Sequence, residues 1–173
     1  RWQRARLPED NPAAGRVGLY EIWHLTRDGL RQGPPDKRLR AAEQARFLAE
    51  LQRSFYEQTV HFIKSRLGFR GLVVCSNWKT ADQSLLQPLE HWTYAAGDML
   101  DRHGYFSPVH KGPAASYQVR VGDRFKDRAA VLEPVKTPLQ FVQLEGYPQA
   151  ITEIGWPNPN RLKADACFLT AAY

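Results

Sequence analysis

Three stretches of this sequence end in groups able to do chemistry: Asn77-Trp78, His103-Gly104-Tyr105 and Glu153-Ile154-Gly155-Trp156. The segments leading into them start apolar and turn polar or aromatic at the far end. A two-residue strand period puts Asp101, His103 and Tyr105 on one face, and Ile151 and Glu153 on one face. A carboxylate, an imidazole and a phenol suit nucleophilic or acid–base work. Each residue also has a plain structural reading. Glu153 fits an edge-strand charge, His103 a hydrogen-bonded core histidine, and Tyr105 a packed ring with its hydroxyl at the rim. Asn77 fits a turn cap, and Trp78 and Trp156 fit ordinary core. The three ends taken together favour chemistry.

The elements that must position these groups follow from spacing. Residues 1–18, with Pro8, Asn11-Pro12, Gly15 and Gly18, read as a loop. Residues 19–25 fit either period, and we assign them to helix. Residues 36–67 form the clearest helix, with Asp36 as N-cap and Gly68 as terminator. Ala41, Ala45, Leu48, Leu51, Phe55, Thr59, Phe62 and Ile63 make its packing stripe. Its opening run, Lys37-Arg38-Leu39-Arg40, reads as solvent-facing. Residues 71–77 read as a buried parallel strand. A helix over 82–96 follows, with Leu85, Leu86, Leu89 and Trp92 as its stripe and Pro88 bending its first turns.

Strands are expected over 99–106 and 150–155. The 107–147 stretch between them is long, Pro-rich and only locally strand-like, as at 117–121; such connections are often functional. A final helix carries Leu162, Ala166, Leu169 and Tyr173 on one face, capped by Asn158 or Asn160. Alternating helices and strands imply α/β architecture with a parallel sheet. The best fit is a partial (β/α)8 barrel, about strands five to seven with their helices, treated as one domain over 1–173. In such barrels the C-terminal strand ends carry the site.

Composition narrows the function. The chain has 173 residues, 43% hydrophobic and 24% charged, which is a globular balance. No apolar run is long enough to span a membrane. The net charge of +6 is spread along the chain rather than clustered with aromatic residues, so nucleic acid is not the expected partner. Two cysteines and five histidines without His-x3-His spacing imply no metal site. Glycine-rich nucleotide signatures and the Gly-x-Ser-x-Gly elbow are missing too. No cofactor is implied. Both ends read as interior, so the chain is expected to be part of a longer protein.

Asp101-Arg102-His103-Gly104-Tyr105-Phe106 and Thr152-Glu153-Ile154-Gly155-Trp156 resemble strands six and seven of clan A glycoside hydrolases. These are retaining (β/α)8 enzymes that include cellulases, mannanases and β-galactosidases. The resemblance covers mainly residues 71–173. It implies that Glu153 is the nucleophile, that Tyr105 donates a hydrogen bond to it, and that His103 binds substrate. Asn77, Trp78 and Trp156 would line the sugar site, and 107–147 would wall the cleft. The implied partner is an oligo- or polysaccharide or a glycoside. The clan's general acid is a glutamate directly after asparagine, and this sequence has no Asn-Glu dipeptide. Glu21 is the only roughly placed upstream carboxylate, so the acid is expected before residue 1 and the chain alone is expected to be inactive. The competing reading is a non-catalytic carbohydrate-binding barrel.

Overall fold

The computed structural model describes residues 2–112, 118–139 and 142–172. The chain forms two compact units: Arg1–Leu100 with Gly146–Pro148, and Asp101–Glu145 with Gln149–Tyr173.

In the first unit, a 3-10 turn at Ile22–Leu25 and a short helix, α1 (Arg27–Arg31), replace the single helix expected at 19–25. Gly29 permits the close approach: a Cβ there would lie 2.2 Å from the Trp23 carbonyl oxygen. The long helix α2 (Lys37–His61) continues as one π-helical turn, Phe62–Arg66, and Gly68 ends it at φ +68°. Its sequence has no Gly or Pro and carries two i,i+4 ion pairs, Arg46–Glu50 and Arg53–Glu57, which support a helix.

The buried face of α2 differs from the expected one. Lys37, Arg40, Ala41 and Gln44 are buried, at i, i+3, i+4 and i+7. Leu51, Phe55 and Phe62 of the expected stripe are exposed, Phe55 by 63%. The reason is polar anchoring of the N-terminal loop. Arg40 grips Asp10 through both guanidinium nitrogens at 2.6 Å. Gln44 accepts from the Tyr20 N–H and donates to the Tyr20 carbonyl, each at 2.8 Å. Lys37 donates to the Gly29 carbonyl. Within the basic run at the helix start, Lys37 and Arg40 are therefore buried, while Arg38 and Leu39 face solvent as expected. Nor does the Asp36 side chain cap α2; it accepts from the Arg4 backbone N–H and guanidinium instead.

Helix α3 (Gln83–Tyr94) contains Pro88. Proline has no N–H to donate to the carbonyl four residues back, and Arg27 donates to that Ser84 carbonyl at 3.3 Å. The strand expected at 71–77 shrinks to one parallel bridge, Val74 to Met99. Asp98 pins it, accepting from the Val73 N–H at 2.8 Å and from Lys64 at 2.6 Å. Leu72 and Val74 are exposed, so this segment lacks the cover on both faces that a buried parallel strand has.

The second unit is built on β1 (Leu100–Tyr105) and β4 (Gln149–Gly155), which pair. The Leu100 N–H donates to Pro148 and the Phe106 N–H to Gly155, so the strands are parallel. Between them come an antiparallel ribbon, β2 (Val109–Lys111) with β3 (Arg124–Lys126), and two 3-10 turns, Ala130–Leu132 and Pro134–Lys136. Of the strand-like piece expected at 117–121, Tyr117 lies outside the described residues and 119–121 is not strand. Helix α4 (Asp165–Ala172) closes the unit; Tyr173 lies outside the described residues. Asn160 does not cap α4. It is buried, accepting from the Arg128 N–H and donating to the Arg128 carbonyl. Phe106, Ala130 and Trp156 form the core, with Leu139, Ile154, Ala166 and Leu169 against it. The described residues thus show a mixed α/β chain with two two-stranded sheets, and no closed barrel among them.

Candidate functional site

The β1–β4 register decides which side chains meet. Pairing runs from Leu100 with Pro148 to Phe106 with Gly155, which sets His103 level with Thr152 and Glu153. His103 Nδ1 lies 3.2 Å from Glu153 Oε2. Its Nε2 lies 3.2 Å from Thr152 Oγ1. The Thr152 hydroxyl donates to Asp101, whose carboxylate also accepts the N–H groups of Thr152 and Arg102. Asp101 is buried, so these three donors offset its desolvation.

The proton positions follow from the partners. Thr152 gives its hydroxyl proton to Asp101, so its oxygen accepts from His103 Nε2–H. Nδ1 then faces Glu153. The Glu153 side chain is 53% exposed, leaving carboxylate surface open to an incoming molecule. A carboxylate with exposed surface beside a fixed imidazole can act as a nucleophile or general base.

Tyr105 occupies a different place from the one the resemblance implies. Among the described residues its hydroxyl makes no hydrogen bond to Glu153. It stands two residues past His103 in the register, and its ring lies 3.8 Å from where a Gly155 Cβ would be. Tyr105 is half exposed. Trp156 is 5% exposed and packs against Phe106 with ring centroids 5.9 Å apart. Burial makes it core in this unit rather than a platform for a sugar ring.

Asn77 and Trp78 belong to the first unit. Trp78 is 72% exposed, with its N–H donated to Ser76 Oγ and its carbonyl accepting from Tyr94. Glu21 is exposed and precedes the Ile22–Leu25 turn. The first unit also holds a cavity of about 440 Å³ lined by Trp2, Val17, Leu19, Arg40, Glu43 and Phe47; none of the candidate residues lines it. No group of three metal-ligating side chains converges among the described residues.

Sequence reasoning placed Asp101 on the His103 face but gave Thr152 no role. The signal was present, as a hydroxyl directly before the candidate glutamate. Only the register shows that it joins Asp101 to His103.

No family model matches the chain, and no curated protein or solved structure matches it.

Proposed function

We propose that Glu153 is the nucleophile of a retaining glycoside hydrolase, with His103 as its partner at the substrate site. The observation that carries the reading is the His103–Glu153 contact at 3.2 Å beside an open carboxylate edge. In this chemistry an ionised carboxylate attacks the anomeric carbon and forms a glycosyl ester. A second carboxyl group about 5–5.5 Å away protonates the leaving oxygen. His103 stands against one side of the Glu153 carboxylate and leaves the other side open to the sugar. Tyr105, at the same strand end, offers an exposed phenol to a bound sugar. The wider frame of this reading is a partial (β/α)8 barrel, with the parallel β1–β4 pair carrying His103, Tyr105 and Glu153 as its support.

The test uses the protein carrying this chain and a 2-deoxy-2-fluoro glycoside with a dinitrophenolate leaving group. That leaving group departs without protonation, so a glycosyl ester can accumulate without the general acid. Mass spectrometry is expected to find one glycosyl label, on Glu153, and none in Glu153→Gln. A label on another carboxylate moves the nucleophile. No label with any of a panel of glycosyl donors overturns the reading.

A further inference from the structure

The β2–β3 ribbon presents an unusual arrangement of charge. Its register pairs Lys111 with Arg124 and Val109 with Lys126. Strand alternation puts these four side chains on one face, and all four are exposed. Directly opposed residues on one face lie about 5 Å apart, and like charges there destabilise the pair. No ion pair among the described residues reaches Lys111, Arg124 or Lys126. From 107 to 126 the sequence has one carboxylate, Asp123. That group is already occupied on the other face, by His110 at 2.9 Å and by the Arg120 N–H at 2.8 Å.

The other face also explains why the ribbon persists despite the repulsion. His110 and Phe125 stack at 4.3 Å with their planes 19° apart, and Asp123 ties the turn. The result is a short, well-held platform with three uncompensated cations projecting from one side.

We propose that this outer face binds an acidic polysaccharide, through the carboxylate or sulfate groups on its sugars. Three fixed cations gather such groups by charge, and an arginine adds a two-pronged donor. Among the described residues of the ribbon, the two rings, His110 and Phe125, are stacked on the opposite side. Single-stranded nucleic acid is bound by bases stacking on rings between cations, so the face fits a glycan better. The ribbon begins just beyond Tyr105, on the segment leaving the end of β1. The choice of a glycan among anions rests on the Glu153 reading; the charge of the face does not.

The experiment is affinity electrophoresis of the chain at low ionic strength through polygalacturonate, dextran sulfate or neutral dextran. Retardation is expected with an acidic polymer and not with neutral dextran; the two acidic polymers distinguish carboxylate from sulfate. Lys111→Ser/Arg124→Ser/Lys126→Ser is expected to weaken binding about tenfold or more. A variant losing three exposed cations elsewhere, Arg16→Ser/Arg66→Ser/Arg70→Ser, is expected to lose less than about twofold. Circular dichroism checks that both variants fold. Equal losses in the two variants, no retardation by either acidic polymer, or displacement of the polymer by a lower concentration of single-stranded DNA would each overturn the proposal. These outcomes are read without turnover, so they leave the Glu153 labelling result to be judged separately.

Discussion

Two charged pairs in this molecule use similar groups for opposite ends. Arg40 and Asp10 are sealed in. Arg40 is 1% exposed, gives two hydrogen bonds to Asp10 and further ones to the Ala5 and Gly18 carbonyls. The Trp2 and Tyr20 rings lie 5.1 and 5.4 Å from its guanidinium. Nearly every donor is committed to folding the N-terminal loop onto α2. His103 and Glu153 meet at 3.2 Å, with half the glutamate side chain in solvent. A pair whose bonds are all used internally holds a shape. A pair whose histidine is held by Thr152 and whose glutamate is half exposed keeps carboxylate surface for a visitor.

The contrast is broken most severely at Arg40. Removing one partner of a buried pair leaves the other charge without compensation, a cost of about 3–5 kcal/mol. Arg40→Met is therefore expected to lower stability by about 3 kcal/mol in urea unfolding followed at the first unit. The sign with pH follows from Asp10. Its carboxyl is held far below the usual carboxylate range, first by the Arg40 hydrogen bonds and then by the Leu7 N–H. A depressed carboxyl stabilises the fold above its unfolded value near pH 4 and loses that contribution as pH falls toward the folded value. The wild type is expected to lose stability below about pH 4, with a shallower acid limb in Arg40→Met. An unchanged limb would show that the pair does not govern acid unfolding.

A middle-sized effect is expected at the hinge of the open pair. Thr152→Val removes the acceptor of His103 Nε2–H and one donor to Asp101, at a cost of about 1 kcal/mol. Nitrogen NMR of the ring gives the sharper readout. Wild type is expected to show a protonated Nε2, and the variant a changed tautomer mixture. Identical ring spectra would show that Thr152 does not orient His103.

The smallest effect is expected at Glu153 itself. An exposed ion pair contributes about 0–1 kcal/mol. Glu153→Gln should shift stability by under about 0.5 kcal/mol by urea titration, while abolishing the glycosyl label. A loss as large as that at Arg40 would make Glu153 structural and erase the contrast.

Much of this was legible in the residues, and the gaps have physical causes. The 3.6-residue pattern gave α2 and α3 to within a few residues, and Gly68 marked the end of the long helix. Strand identity at 99–106 and 150–155 was legible from apolar starts and polar ends. The buried face of α2 was not, because hydropathy ranks Arg40 and Gln44 as surface while their bonds to distant backbone groups take them inside. The 71–77 segment read as a strand because Leu72, Val73 and Val74 favour one, yet a strand needs neighbours that its own sequence does not announce. The site divided in the same way. Glu153 and His103 were named from type and spacing. Their pairing, the packing of Tyr105 beside Gly155, and the burial of Trp156 depend on register and packing, which a single strand's residues do not contain.

The Pro88 position in α3 has a consequence for how the sequence can change. The missing rung at Ser84 is filled by a guanidinium from Arg27, whose own backbone N–H is held by Asp82 at the head of the same helix. Proline and arginine thus form one device written in two distant places. Trading the arginine alone uncovers a carbonyl, whereas trading the proline for an alanine makes the arginine dispensable. Substitutions here are expected to cost less when the proline changes first than when the arginine does.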